Sequence, residues 1–182
     1  MKRAIVAAAT LAAAALAELK DWLGITTTGE DNSLTSQLRA ALETCEAFTG
    51  TMPLEADCEE ILPVSSDWQA LQAMPVLAIS GVWGVPANGE RYALAADAYA
   101  LDFRADGTGC IRILCPGIAS RIAIRFTAGL VPEWASLPDG LRHGIIRLAA
   151  HQYRLRENGE KVPMPPTAVA ALWRPWRRVR LL

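Results

Sequence analysis

Tyrosine and phenylalanine are scarce, with three of each, and histidine occurs only twice in 182 residues. Charge of one sign is missing as well. Eighteen lysines and arginines face nineteen acidic residues, for a formal net charge of −1. That balance excludes a wholly basic nucleic-acid-binding surface, and the 52% hydrophobic content excludes a disordered chain. The four cysteines, Cys45, Cys58, Cys110 and Cys115, form no CxxC pair, and neither His143 nor His151 stands at a zinc-finger offset from them. The spacing therefore predicts four reduced thiols, with a Cys110–Cys115 or Cys58 pairing as the alternative. No stretch supplies the roughly 20 apolar residues of a membrane span.

Catalytic signatures are equally thin. His143 and His151 stand eight positions apart on one expected helix with Arg147 between them. A metal-ligating histidine pair uses a spacing of three or four, and an intervening guanidinium repels a cation. Both histidines read as helix-surface or interface residues. Ser80 and Ser120 lack a GxSxG elbow, and no cysteine has a protease-like context. Gly81, Gly84 and Gly89 follow no strand-to-helix transition and precede no GK[ST], so they read as turn glycines. The acidic group Glu55, Asp57, Glu59 and Glu60 reads as solvated loop charge, with cation binding as the sharper alternative. The expectation is a protein that is not an enzyme and holds no cofactor or metal.

What is present is ordered structure. At this length the chain makes one domain, or one with an inserted lobe, and buries roughly 70% of its unfolded surface without metal or disulfide. Residues 1–50 are expected to form an N-terminal helical hairpin. Leu16, Leu19, Trp22 and Leu23 line its first helix, with Thr10 as a cap and Gly24 as terminator. Leu34, Leu38, Ala41, Cys45 and Phe48 form a narrow apolar stripe on the second, closed by Gly50. Residues 51–135 read as a β-rich insertion. Thr51 to Pro75 has no regular period, and then Val76–Trp83, Tyr99–Phe103, Ile111–Ile113 and Ile122–Phe126 alternate as strands, with Asp106-Gly107 as a hairpin signal. This part should be one small antiparallel sheet of four or five strands.

Residues 136–160 form the long helix that completes a small bundle. Ser136-Leu137-Pro138-Asp139 is its start signal, Leu141, Ile145 and Leu148 its apolar face, and Asn158-Gly159 its stop. Residues 161–182 combine a Pro-rich linker (Val162 to Pro166), a short helix from Thr167 to Trp173, and an extended tail. The fold class is α+β: a helical hairpin plus a long C-terminal helix, with an inserted antiparallel β-lobe.

The two ends carry the sharpest signals. Lys2 and Arg3 precede a mostly apolar run from Ala4 to Ala17, which imitates a secretory signal. The run passes into Glu18, Lys20 and Asp21 with helical spacing intact, and cleavage after Ala15 or Ala17 would remove half of that helix. At the other end, Trp173, Arg174, Trp176, Arg177, Arg178, Arg180 and Leu181 fall within ten positions. Tryptophan and arginine dominate binding hot spots, each worth roughly 2 kcal/mol or more when buried against a partner. A stiff linker is expected to hold this terminus away from the body, so that exposed tryptophans need a partner to cover them. Two other readings stay open: the tail folds onto its own subunit, or its arginines bind phosphates while its tryptophans stack on bases.

Across nearly the whole chain the order of motifs resembles the phage head-tail connector (adaptor) family, in the branch that includes gene transfer agents. The resemblance runs through Leu19-Lys20-Asp21-Trp22-Leu23-Gly24-Ile25, the loop at Glu30-Asp31, and Cys45-Glu46-Ala47-Phe48-Thr49-Gly50. Ile122-Ala123-Ile124-Arg125-Phe126-Thr127-Ala128-Gly129 is similar to the family's V-x-Y-x-A-G strand. Val131-Pro132, Leu137-Pro138 and the Leu141–Glu157 pattern follow in order. Leu172 to Leu181 is similar to its closing Leu-x-x-Pro-Tyr-Arg-x-x-Arg-Leu. The alanine-rich start, Trp176 in place of tyrosine and the longer sheet-bearing middle depart from that pattern.

The resemblance implies a structural virion protein, assembled in the bacterial cytoplasm and carried in the neck of a phage-like particle. It would form a homo-oligomeric ring, usually a dodecamer, between the portal protein and a stopper or tail-completion protein. DNA would pass through the ring without sequence recognition, and no membrane is involved. By the same resemblance Trp173, Arg174, Trp176, Arg177, Arg178, Arg180 and Leu181 would be the portal-binding residues. An exported envelope protein, or a nucleic-acid-binding module using the tail, are the alternatives.

Overall fold

The computed structural model describes residues 2–7, 11, 13–155 and 165–178. The chain divides into two compact units, one of strands (residues 1–9 and 55–130) and one of helices (residues 10–54 and 131–182). The expected α+β composition holds: helices and antiparallel sheets are both present.

The helical unit is built from α1 (Ala13–Leu23), α2 (Asp31–Thr49), α3 (Asp139–Leu155) and α4 (Thr167–Trp173). Leu34, Leu38, Ala41, Cys45 and Thr49 form the buried stripe of α2, at spacings of four, three, four and four. Such a stripe keeps one helix face toward its neighbours. Its last turn ends at Gly50, whose φ of 72° is the left-handed geometry that glycine adopts without a Cβ penalty. Leu141, Ile145, Ile146, Leu148, Ala149 and Ala150 are the buried apolar positions of α3. Lys20 ties α1 to the start of α2 through a 2.7 Å ion pair with Asp31. Trp134, buried in a short 3-10 turn before α3, donates its indole N–H to Glu18 of α1 at 3.0 Å. Thr10, the expected cap of α1, and Asn158-Gly159, the expected stop of α3, lie outside the described residues.

The strand unit contains two sheets, where the alternation pattern suggests one. β1 (Lys2–Ala7), β2 (Ala56–Pro63), β8 (Arg121–Ala128), β4 (Val76–Val85) and β5 (Tyr92–Ala93) form a five-stranded sheet in that order. β3 (Gln69–Ala70), β7 (Gly109–Ile113) and β6 (Tyr99–Phe103) form a second, three-stranded sheet. Every strand pair is antiparallel. β8 lies in the middle of the larger sheet, which accounts for its burial from Ile122 through Ala128 with only Arg125 and Thr127 half-exposed. The Asp106-Gly107 turn joins β6 to β7 as its sequence indicates, with Gly107 at a φ of 82° and the Thr108 amide held by the Asp106 carboxylate at 2.9 Å.

Two expectations are corrected here. Lys2–Ala7 is not the first part of a long apolar helix: it is β1, paired with β2 from Lys2↔Ile61 to Ala7↔Asp57. The acidic stretch is not a solvated loop either. It is β2, whose burial alternates residue by residue. Glu60, only 2% exposed, turns inward, and its carboxylate accepts the Gln72 amide at 2.9 Å and the Ala73 amide at 3.1 Å. Glu59 pairs with Arg91 at 3.0 Å, and Asp57 accepts the Thr127 hydroxyl at 3.0 Å. Asp57 and Glu59 lie on one face of the strand and Glu60 on the other, each with partners of its own. Cys45, Cys58 and Cys110 are buried, Cys115 is exposed, and all four are free thiols.

Candidate partner-binding terminus

The C-terminal segment begins at Pro166, whose extended backbone leads into α4. Proline before the first turn lacks only an amide that a helix start would leave unpaired. Val169 and Trp173, four positions apart and thus on one face, are the buried residues of α4. Trp173 is completely buried. Its ring sits 6.0 Å from that of Phe48 on α2, and its indole N–H donates to the Leu141 carbonyl of α3 at 3.3 Å.

The seat for this indole is made of glycine. A Cβ on Gly144 would fall 2.1 Å from Trp173 Nε1, so only a residue without a side chain lets the ring lie against α3. One turn earlier, a Cβ on Gly140 would approach the Leu172 carbonyl at 3.5 Å and Trp176 Nε1 at 3.6 Å. Gly144 alone makes the seat, since the Gly140 distances are ordinary packing contacts. The expectation of Trp173 as a portal-facing anchor on an extended tail is corrected accordingly. Its large apolar ring finds a fitted cavity within its own subunit, and α4 continues into a 3-10 turn, Arg174–Trp176.

Beyond Trp173 the segment comes to the surface. Arg174, Trp176 and Arg177 are exposed, Trp176 at 37%. The Arg177 guanidinium lies 5.5 Å above the Phe48 ring, a cation–π distance that orders the side chain without hiding its charge. The Arg178 amide donates to the Thr49 carbonyl at 2.9 Å. That carbonyl belongs to the last turn of α2, where helix carbonyls lack intrahelical donors. Arg177 and Arg178 thus stand at the negative end of the α2 dipole, which favours their charge. Of the seven residues that the sequence pattern assigns to the portal, the structure brings Arg174, Trp176 and Arg177 together at the surface, with Arg178 half-buried behind them. Trp173 is withdrawn into the core, and Arg180 and Leu181 lie outside the described residues. The receiving residues Phe48, Thr49 and Gly144 escaped sequence reasoning. The signal for the last was available: a glycine inside a helix needs a packing reason.

Among the described residues no group of three histidine, cysteine or acidic side chains converges. His143 packs edge-on against Trp22, with ring centroids 5.2 Å apart and an interplanar angle of 78°. His151 lines a cleft of about 190 Å³ with Trp22, Arg147, Arg154 and Pro166. Burial of Cys45, with Glu46 beside it, pushes its thiol up to about 12, which makes it an inert core residue rather than a nucleophile. Among the described residues no helix is long and apolar enough to cross a membrane.

Neither a family model nor a curated protein sequence matches the chain. Solved structures do. The chain is similar over its full length to 98% of a chain in the neck of an empty gene transfer agent particle computed with C6 symmetry, at 32% identity and a TM-score of 0.80. It is likewise similar over its full length to 98% of a chain in the neck of a native particle computed with C12 symmetry, at 31% identity and a TM-score of 0.78. A third match, in the virion of a native gene transfer agent particle, has 30% identity, a TM-score of 0.74 and the same coverage.

Proposed function

The chain belongs to the head-tail adaptor family of gene transfer agent particles, and from that membership we propose that it forms a ring under the portal of such a particle. It is a structural protein and not an enzyme. The observation that carries the reading is the full-length match, in sequence and fold together, to a chain of a particle neck.

On this reading twelve copies close head-to-tail about the particle axis, which the C12 symmetry of one related neck supports. The ring extends the DNA channel, and the stopper or tail-completion protein seats on its far side. DNA passes through without base readout. The helical unit acts as a small bundle whose C-terminal surface meets the portal. Arg174, Trp176, Arg177 and Arg178 are its anchors there, continued by Arg180 and Leu181. Trp173 contributes indirectly, by fixing the position of the turn that presents them. An aromatic ring flanked by guanidiniums is the composition of an interface centre, and arginine forks pair bidentately with carboxylates on a partner.

The test is an electron-microscopic reconstruction of particles carrying a tagged copy of this chain. A ring of tag density directly beneath the portal is the expected result. Particles that assemble necks with no copy of the chain, or a chain found only outside particles, would overturn the proposal.

A further inference from the structure

The larger sheet ends in two open edges. β1 pairs with β2 on one side only, and Ile5 and Val6, where its register shifts, are 44% and 47% exposed. At the other end β5 covers β4 at Trp83 and Gly84 alone, with the Leu94 amide reaching Val82. The Val76 amide is taken by the Gly107 carbonyl. Between these points, among the described residues, no strand pairs with Leu77–Gly81 on its outer side, and Leu77 is 49% exposed. An apolar strand edge with unpaired backbone groups is a template for another strand.

We infer that these two edges join neighbouring copies: β1 of one subunit pairs with Leu77–Gly81 of the next, carrying the sheet across the subunit boundary. Three features commit the edge to a second copy of this chain. Strand directions alternate across the whole sheet, so β1 of a rotated copy arrives antiparallel to β4 and the alternation continues unbroken. The levels match too. Following the register across the sheet, Ala4 stands level with Glu59, Arg125 and Gly81, and Ala7 with Asp57, Thr127 and Ala78. The open stretch of β4 therefore faces the height at which an incoming β1 would lie. Finally, two different edges at opposite ends of one sheet make a heterologous contact, the kind that generates a closed ring under cyclic symmetry. Both necks in which related chains are found have such symmetry.

The inference rests on the ring reading, and its test separates the two. In a Cys115→Ser background, which removes the exposed thiol, Ile5→Cys or Val6→Cys is combined with Ala78→Cys or Ile79→Cys, and particles are assembled and oxidised. Strands about 4.8 Å apart bring opposed Cα atoms within disulfide range. At least one pair is expected to convert the chain from monomer to a ladder of multimers reaching the full ring on a non-reducing gel, while each single-cysteine variant stops at dimers or below. An imaged ring with no ladder from any of the four pairs overturns the edge pairing and leaves the ring standing. A bond from these cysteines to a different neck component also overturns it. Necks with no ring of this chain overturn both readings.

Discussion

The indole of Trp173 fills the space in which a side chain at position 144 would otherwise stand, with a Cβ there falling 2.1 Å from its Nε1. Gly144→Ala should therefore overpack the site and cost about 1–3 kcal/mol. Trp173→Ala should cost about 3–5 kcal/mol through the cavity it leaves. Urea unfolding followed by circular dichroism checks both. Parental stability in either variant would contradict the tight seat.

Trp176→Ala should divide differently. At 37% exposure the ring still covers part of its own subunit, so its loss should cost about 1–2 kcal/mol, less than that of Trp173. Its affinity for portal should fall by about 2 kcal/mol or more if the side chain is an interface anchor. Titration of purified portal with the variant measures the second quantity and thermal denaturation the first. Unchanged portal affinity with a lowered Tm would make Trp176 a packing residue only.

Glu60→Leu should leave the Gln72 and Ala73 amides without their acceptor, at about 1–3 kcal/mol for each buried group stranded. Glu60→Gln keeps a carbonyl oxygen in reach and should cost less. Chemical denaturation of the two variants ranks them, and a Leu variant as stable as the Gln variant would show that no acceptor at this position is needed to organise the loop after β2.

Cys45 yields a pH prediction. Its thiol is raised from 9.0 to about 12 in the fold, so the folded state holds the proton more tightly than the unfolded chain does. The stability this contributes is complete below about pH 9 and is lost progressively as pH rises toward 12. Cys45→Ala should flatten that alkaline decline relative to the parent. In native protein at pH 8, iodoacetamide should reach the exposed Cys115 and leave Cys45 unmodified until unfolding. Equal labelling rates would contradict the buried thiol.

Legibility in the sequence followed how many signals each element carried. α2 was readable because its stripe and its Gly50 stop agree, and β8 because its alternating apolar residues carry no contrary charge. β2 was hidden by Glu60, an acid standing at an inward position that the alternation rule reserves for apolar residues; only the amides of Gln72 and Ala73 make it acceptable there. β1 was hidden by alanine, which favours helix in isolation and yields to strand pairing in context. In the candidate site, the surface residues Arg174, Trp176 and Arg177 were legible from composition. The depth of Trp173 was not, because hydrophobic content marks a wish to be covered without naming the cover. The cover is Gly144 with Leu141 and Phe48, some thirty residues or more earlier in the chain, which sequence distance conceals.

The bond from the Arg178 amide to the Thr49 carbonyl has a mechanical consequence. Traction on the chain beyond that point loads the last turn of α2 first, and then the indole lodged against α3. Resistance comes from shearing interdigitated side chains out of a solid interior, not from unwinding a loose thread. A terminus rooted in this way can pass load from whatever grips it into the body of the subunit.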